Sequence, residues 1–243
     1  MSPHRKRTEH KSKVCQNRTE RRFLMIVKTT REMKEMDRIA IQERGIPSLQ
    51  LMETAAGHVT KAVLSHRAEA GRSGPVLVFC GPGNNGGDGF ACAWQLLERG
   101  VQARVCFVGN PEKMTADARA EQEKLLVLGG TVTPHDGSSI DPGTACIVDA
   151  LFGVGLDRPV GGAFAQAIAA MNAAHAAGVP VVACDIPSGI HGDTGDVLGI
   201  AVQADETVTF SCAKPGLLTG QGKLYAGQLT IAGIGIPEDL LQG

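Results

Sequence analysis

The sequence has few aromatic residues and no strong excess of charge of either sign. Phenylalanine, tyrosine and tryptophan make up 4% of the 243 residues, and 24 lysines and arginines face 25 aspartates and glutamates. A platform that stacks nucleobases needs several aromatic rings, and a surface that grips nucleic acid or an anionic membrane needs an excess of positive charge. We therefore expect neither a nucleic-acid-binding nor a membrane-binding protein.

The chain also lacks long apolar runs, paired cysteines and the local patterns of two common enzyme classes. No stretch approaches the ~18 apolar residues of a transmembrane helix. The seven cysteines are odd in number and show no C-x-x-C spacing, which indicates reduced thiols and a cytoplasmic location. No G-x-S-x-G elbow surrounds Ser188, and no cysteine–histidine pair has the spacing of zinc ligands, so neither a serine hydrolase nor a zinc enzyme is expected.

The first 24 residues differ in charge from the rest of the chain. They contain eight lysines and arginines against two glutamates, and they lack the apolar segment of a secretory signal. We interpret residues 1–24 as a basic, disordered arm and residues 25–243 as one domain. The alternatives are a natural start at Met25, a basic arm for an acidic partner, or a mitochondrial transit peptide.

Helical and strand-like segments alternate after this arm. Two amphipathic helices are predicted first, over residues 30–43 and 48–66, and strands then alternate with helices. Short glycine-rich connections between such segments predict an α/β fold with a mainly parallel central sheet and helices on both faces. The predicted strands are 76–80, 102–108, 145–152, 179–184, 207–212 and 228–234, and the later helices are 90–99, 117–128 and 163–177.

A glycine-rich segment, G-P-G-N-N-G-G-D-G over residues 81–89, follows the first predicted strand. Glycines let backbone N–H groups approach an anion closely, and the start of the next helix adds a favourable dipole, so a phosphate-bearing ligand is expected here. Gly81, Gly83 and Gly86 satisfy G-x-G-x-x-G. The acid that a dinucleotide-binding Rossmann unit places after its second strand is absent, since that strand ends in Gly109-Asn110.

Two further segments at predicted strand ends carry polar residues within apolar surroundings. Asp149 interrupts one strand and Asp185 ends another, with Ser188 three residues later. A buried carboxylate needs a cation, a metal or strong donors, and Asp149 bonded only to the amides of a neighbouring loop is the structural alternative. Asp185 is a candidate proton acceptor or hydrogen-bond partner for substrate hydroxyls.

The oxygen-bearing side chains of these segments suit a hard cation. Asn85, Asp149 and Ser188 carry one formal negative charge between them, which favours a monovalent ion. Na⁺, K⁺ and the head of an arginine or lysine all satisfy this pattern.

Four motifs, in the order in which they occur, resemble those of the NAD(P)H-hydrate epimerase family. They are G-P-G-N-N-G-G-D-G, V-D-A-L-F-G-V-G from Val148, D-I-P-S-G-I-H-G-D-T-G from Asp185 and F-S-C-A-K-P-G-L-L from Phe210. G-I-P-S-L-Q-L-M-E-T-A-A from Gly45 is also similar to that family's N-terminal helical segment. The resemblance covers residues 26–237.

The resemblance implies a Rossmann-like three-layer αβα sandwich with N-terminal helices before it. It also implies epimerisation of hydrated NADH and NADPH (NADHX and NADPHX) at C6 of the nicotinamide ring. It implies one K⁺ per subunit, held by Asn85, Asp149 and Ser188, a homodimer, and fusion to or cooperation with an NAD(P)H-hydrate dehydratase. The substrate-binding residues that it implies are Asn84, Asn85, Gly86, Gly87, Asp88, Gly153, Val154, Gly155, Leu156, Asp157, Arg158, Pro159 and Asp185.

The chemistry of this substrate leads to a hypothesis for Asp185. Loss of hydroxide from C6 leaves a cation that the ring nitrogen stabilises, and water can return from either face. We expect Asp185 to handle the proton of the reacting hydroxyl or water, and K⁺ to hold the loops in register. An NAD(P)-dependent oxidoreductase and a non-catalytic nucleotide-binding module are the alternative functions.

Overall fold

A computed structural model describes residues 25–242, and the predictions for residues 1–24 lie outside them. Two helices come first, α1 (Thr30–Arg38) and α2 (Ser48–Glu69), with a turn of π-helix over Ile39–Glu43 directly after α1. A capping box fixes the start of α1, because the Thr29 side chain accepts from the Glu32 amide and the Glu32 carboxylate accepts from the Thr29 amide. The two predicted N-terminal helices are therefore present.

Seven parallel strands form one sheet in the order β3-β2-β1-β4-β5-β6-β7. The predicted fold class, an αβα sandwich with a parallel sheet, is confirmed. The strands are β1 (Val76–Cys80), β2 (Ala103–Phe107), β3 (Thr131–Pro134), β4 (Cys146–Ala150), β5 (Val181–Cys184), β6 (Glu206–Phe210) and β7 (Gln228–Ala232).

Helices cover both faces of the sheet, and the side chains of each strand alternate between two apolar layers. Val78 and Val148 belong to one layer, which includes side chains of the helices before and after β1. Phe79 and Ile147 belong to the other layer, together with Ile168 of the helix before β5. The remaining helices are α3 (Asn84–Glu98), α4 (Ala116–Val127), α5 (Gly162–Ala176), α6 (Gly220–Tyr225) and α7 (Glu238–Gln242).

The structure differs from the sequence-based elements at several places, and the short helices α6 and α7 are among the elements that were not predicted. The helix expected from Phe90 begins at Asn84, so most of the glycine-rich segment forms the first turns of α3 rather than a loop. β3 was not predicted, because its sequence T-V-T-P is short and mostly exposed at the edge of the sheet. The early start of α3 and the position of β3 depend on tertiary packing, which local apolar patterns do not show.

The order of the strands reverses between β1 and β4. From β1 the chain proceeds to β2 and β3 on one side, whereas β4 to β7 extend on the other side. Cys80 and Ala150 pair at the ends of these neighbouring strands, so the segments that follow them leave the sheet at the same edge. In open α/β sheets such a switch point opens a crevice in which ligands bind.

None of the helices within residues 25–242 is long and apolar enough to cross a lipid bilayer.

Candidate active site

A cavity of about 550 Å³ lies at the switch point. Another cavity of about 490 Å³ lies beside α5, but its lining carries no titratable side chain. Of these two, only the cavity at the switch point, here called the cleft, is lined by titratable side chains. Eight of the predicted site residues line it: Asn84, Asn85, Asp88, Gly153, Val154, Gly155, Leu156 and Asp185.

The other predicted substrate residues lie around the cleft. Gly86 and Gly87 are buried beneath it, where Gly87 packs against Met52. Arg158 and Pro159 line a neighbouring cavity of about 360 Å³. Asp157 lies on the exposed turn beside them. The two cavities share Pro82, Phe152 and Leu156, so one elongated depression spans them.

Two glycines set how closely the start of α3 approaches β1. A Cβ atom on Gly86 would collide with the carbonyl oxygen of Gly81, and a Cβ atom on Gly81 would collide with that of Leu151. Only glycine permits these backbone contacts. They place the N-terminus of α3, with its N–H groups and positive dipole end, at the cleft.

A chain of hydrogen bonds joins Asn85 to Ser188 through the backbone of Phe152. The Asn85 side-chain amide donates to the Phe152 carbonyl oxygen at 2.9 Å. The Phe152 amide in turn donates to Ser188 Oγ at 3.0 Å. The segments after β1, β4 and β5 thus meet at one point.

Asp149 is fully buried and continues this chain. Ser188 donates to it twice, from Oγ to Oδ1 at 2.6 Å and from the amide to Oδ2 at 2.7 Å. Burial raises the pKa of Asp149 to about 6, and the hydrogen bonds from Ser188 oppose that rise. As the structural alternative predicted, Asp149 also ties two loops together through backbone amides, those of Leu151 and Ser188.

The Oδ1 atom of Asn85 is buried and has no hydrogen-bond partner. An unpaired buried acceptor costs free energy, and a bound cation would remove that cost. Asn85, Ser188 and Asp149 supply amide, hydroxyl and carboxylate oxygens, the donor types of a hard monovalent cation, so the residues present fit K⁺. Within residues 25–242 no group of three or more histidine, cysteine, aspartate and glutamate side chains is arranged to hold a metal.

Asp185 pairs with a lysine to which sequence reasoning assigned no role. Lys214 Nζ donates to Asp185 Oδ1 at 2.6 Å, to Thr209 Oγ1 at 2.9 Å and to the Phe210 carbonyl oxygen at 3.0 Å. The lysine side chain is completely buried. The sequence feature that indicates this pair is the lysine within the apolar segment F-S-C-A-K-P-G, because a buried ammonium needs an anion as its partner.

Asp185 also has a strained backbone. Its φ is 68°, which is unusual for a residue other than glycine. Such strain persists only where the surrounding structure holds it, and it is concentrated at functional sites. The carboxylate of Asp185 is thus fixed at the cleft both by its backbone and by Lys214.

Two more carboxyl groups face the cleft, and one of them was not predicted. Burial, followed by the charge of Asp185, raises the pKa of Asp37 to about 6 and that of Asp88 well above its ordinary value. Asp37 lies on α1 among charged neighbours in sequence, where an aspartate usually indicates only a solvated helix face. Only the packing of α1 over the sheet reveals its place.

The sequence matches the family described as YjeF-related protein N-terminus over residues 48–216. It is 43% identical to an NAD(P)H-hydrate epimerase of Limosilactobacillus fermentum over 209 residues, which cover 84% of this chain and 94% of that protein. The chain belongs to the NAD(P)H-hydrate epimerase family. The resemblance that the four motifs predicted is therefore confirmed.

Other relatives extend this result. An NAD(P)H-hydrate epimerase of Weissella koreensis is 41% identical over 88% of this chain and 94% of its own length. A bifunctional NAD(P)H-hydrate repair enzyme, Nnr, of Moorella thermoacetica is 38% identical over 89% of this chain, which spans 42% of that longer protein. Among solved structures, the yeast protein ynu0, YNL200c, is similar with a TM-score of 0.77 and 27% identity, over 89% of this chain and 92% of that one.

Proposed function

We propose that this protein interconverts the S and R epimers of hydrated NADH and NADPH at C6 of the nicotinamide ring, as an isomerase of metabolite repair. The observation that carries the proposal is the 43% identity to an NAD(P)H-hydrate epimerase over 94% of that enzyme's length. The cleft supports it, since the residues that the resemblance implies for the substrate largely line one cavity at the switch point.

The proposed reaction requires no oxidant or reductant. The C6 hydroxyl leaves with its electron pair, the lone pair of N1 stabilises the resulting cation, and water adds to the opposite face of C6. Asp185 handles the proton of the reacting hydroxyl or water. The hydrogen bond from the buried Lys214 Nζ fixes the orientation of this carboxyl.

The elongated depression suits a dinucleotide. The N-terminus of α3 offers N–H groups and a favourable dipole to a diphosphate. Arg158 and Lys113 line the neighbouring cavity, which contains no acidic side chain, and either side chain can pair with phosphate there. The nicotinamide would then lie in the cleft beside Asp185.

One K⁺ per subunit is proposed at Asn85, Asp149 and Ser188. The unpartnered Oδ1 atom of Asn85 supports this assignment. The ion would neutralise the buried carboxylate of Asp149 and hold the segments after β1, β4 and β5 in register. The chemistry remains with the side chains of the cleft.

The homodimer and the cooperation with a dehydratase stay predictions. The partial coverage of the longer Moorella protein is compatible with a second catalytic activity beside this one. The helices over residues 30–66, the predicted dimer surface, expose mainly charged and polar side chains.

The proposed function is tested by incubating the protein with a single NADHX or NADPHX epimer and separating the epimers by chromatography, in KCl and in NaCl. We expect rapid appearance of the other epimer, faster in KCl, without consumption of total hydrate and without oxidation. A protein-free incubation measures uncatalysed interconversion. Interconversion no faster than in that control, for both substrates, would overturn the proposal.

The role of Asp185 is tested with Asp185→Asn, which keeps the shape of the side chain and removes its basicity. We expect the rate of epimer interconversion to fall by about 100-fold or more, the range of acid–base catalysis. The matched control is Asp136→Asn, because Asp136 is an exposed aspartate that does not line the cleft. A wild-type rate in Asp185→Asn would show that Asp185 is not the proton-transfer group.

A further inference from the structure

We propose that Asp37 is a second proton-transfer group of the epimerase reaction, working from a different wall of the cleft than Asp185. The proposal rests on the proposed function. An epimerisation that loses hydroxide from one face of a ring and regains water on the other requires proton transfer at two positions. A single carboxyl fixed by Lys214 is poorly placed to serve both.

The position of Asp37 is set by the amphipathic pattern of α1. Met33, Met36 and Ala40 are buried. Asp37 is only partly buried and lies at the edge of this buried face. Its carboxyl lines the cleft together with Asp88 and Asp185. An amphipathic helix packed over the carboxyl edge of the sheet thus brings an acidic group to the site.

Asp37 differs from the other acids of its helix in having no partner. Glu32 accepts from Thr29, and Glu35 forms an ion pair with Arg38 at 2.7 Å. The carboxyl of Asp37 makes no hydrogen bond or ion pair with any of residues 25–242. A half-buried carboxyl facing a cavity without a structural partner is available to a ligand.

Asp37 and Asp185 differ in the charged groups that surround them. Asp185 forms an ion pair with Lys214, with Nζ 2.6 Å from Oδ1. Asp37 has no cation in contact with it: burial and the charge of Asp185 raise its pKa to about 6, and the more distant Lys214 only partly opposes that rise. Besides Asp185 and Lys214, the charged residues around it are Lys34 of α1, Asp88 of α3 and Asp117 of α4. Two carboxyl groups in different surroundings, one in contact with a cation and one not, suit the separate acid and base roles that such a reaction needs.

The proposed step balances as follows. Neutral Asp37 donates its proton to the C6 hydroxyl, and the C6–O bond breaks with its electron pair to release water. The lone pair of N1 forms a C6=N1 double bond. A second water then bonds to the opposite face of C6 while the Asp185 carboxylate takes its proton. The inverted substrate has an unchanged composition. Asp185 then releases its proton to solvent and Asp37 takes one up, which restores both groups for the next turnover.

The test compares wild type, Asp37→Asn and Glu35→Gln in the epimer assay between pH 5 and pH 9. Above about pH 6 an increasing fraction of wild-type Asp37 is ionised and unable to donate, so the wild-type rate is expected to fall as pH rises through that region. Asp37→Asn is expected to lose about 100-fold in rate with little change in KM and to lack this decline. Glu35→Gln, which alters an exposed acid of the same helix, is expected to keep the wild-type profile.

Two further comparisons separate catalysis from folding and from the proposed function itself. Asp37→Glu retains a carboxyl and is expected to recover at least about a tenth of the wild-type rate. No recovery beyond Asp37→Asn, or a wild-type rate and pH profile in Asp37→Asn, would overturn the role of Asp37. If wild type interconverts the epimers while these results fail, only this inference falls. If wild type itself does not, the proposed function falls.

Discussion

At the scale of single residues, the pair of Lys214 and Asp185 joins the proposed proton-transfer carboxyl to a completely buried lysine. Removing an ammonium and a carboxylate from water is costly, and the cost is offset only by close pairing and by further hydrogen bonds. Lys214 has those bonds, to Thr209 and to the Phe210 carbonyl oxygen. The three hydrogen bonds of Lys214 therefore replace the water that both charged groups lose when they are buried.

Lys214→Met is expected to lower the free energy of unfolding by about 3–5 kcal/mol, because it leaves the Asp185 carboxylate buried without its cation. Equilibrium urea unfolding measures the change. The double variant with Asp185→Asn serves as the control and is expected to regain part of the loss, since it removes the uncompensated charge as well. A single variant as stable as wild type would mean that the pair is not charged in the folded protein.

At the scale of elements, the start of α3 depends on close backbone packing. The segment from Asn84 to Gly89 is rich in glycine, which disfavours a helix, yet it is helical because the backbone must pass close to β1 and to the segment after β4. Asn85 and Asp88 are consequently held on a rigid helix. A mobile loop would position them less accurately.

Gly86→Ala is expected to destabilise the protein by about 3 kcal/mol or more, since its Cβ would meet the carbonyl oxygen of Gly81. Gly83→Ala is the matched control, because a Cβ there has nothing within 4 Å and the φ of Gly83 is −84°. It is expected to cost at most about 1 kcal/mol. Thermal unfolding of both variants measures this difference, and equal stabilities would contradict the packing argument.

At the scale of the whole molecule, the strand order assembles a site from distant parts of the chain. Neighbouring β1 and β4 bring Asn85 to Phe152, and the adjacent β5 brings Ser188 to Asp149. Ligand binding at such a junction is coupled to global stability, because the junction exists only in the folded state.

Potassium is expected to stabilise the folded protein through this junction. Raising KCl at constant ionic strength, with tetramethylammonium chloride as the balancing salt, should increase the free energy of unfolding by about 1–3 kcal/mol as the ion saturates its site. Asn85→Ala should abolish this increase, whereas Asn84→Ala should retain it. If the free energy of unfolding of wild type did not change as KCl replaced tetramethylammonium chloride, that result would argue against a potassium site.

The pH dependence of stability is expected to contain a contribution from Asp37. Its pKa is about 6 in the folded protein, against an ordinary value of 3.8, so the folded state keeps a proton that the unfolded chain releases. This contribution to stability is fully present below about pH 4 and is lost as pH rises through about 6. Between pH 4 and pH 7, wild type should therefore lose about 1–3 kcal/mol more than Asp37→Asn in urea unfolding. Parallel curves for the two proteins would contradict a raised pKa.

Much of the architecture was predictable because its signals are local. Apolar runs bounded by glycine or proline marked six of the seven strands, and helical periodicity marked α1, α2, α4 and α5. Asp149 and Asp185 stood out because a charged residue at the end of an apolar strand must have a partner. The four motifs further indicated the family, since short segments around a ligand site keep their residue types.

Tertiary structure alone decided the order of the strands, the helical start of α3, the pairing of Lys214 with Asp185 and the arrival of Asp37 from α1. Each depends on contacts between residues far apart in the chain, and Lys214 lies 29 positions from Asp185. Local sequence determines whether a segment forms a helix or a strand, through the spacing of its apolar residues, and which residues lie at its ends. Which elements become neighbours is determined by the burial of apolar surface across the whole sheet, and that burial selects the side chains that share the cleft.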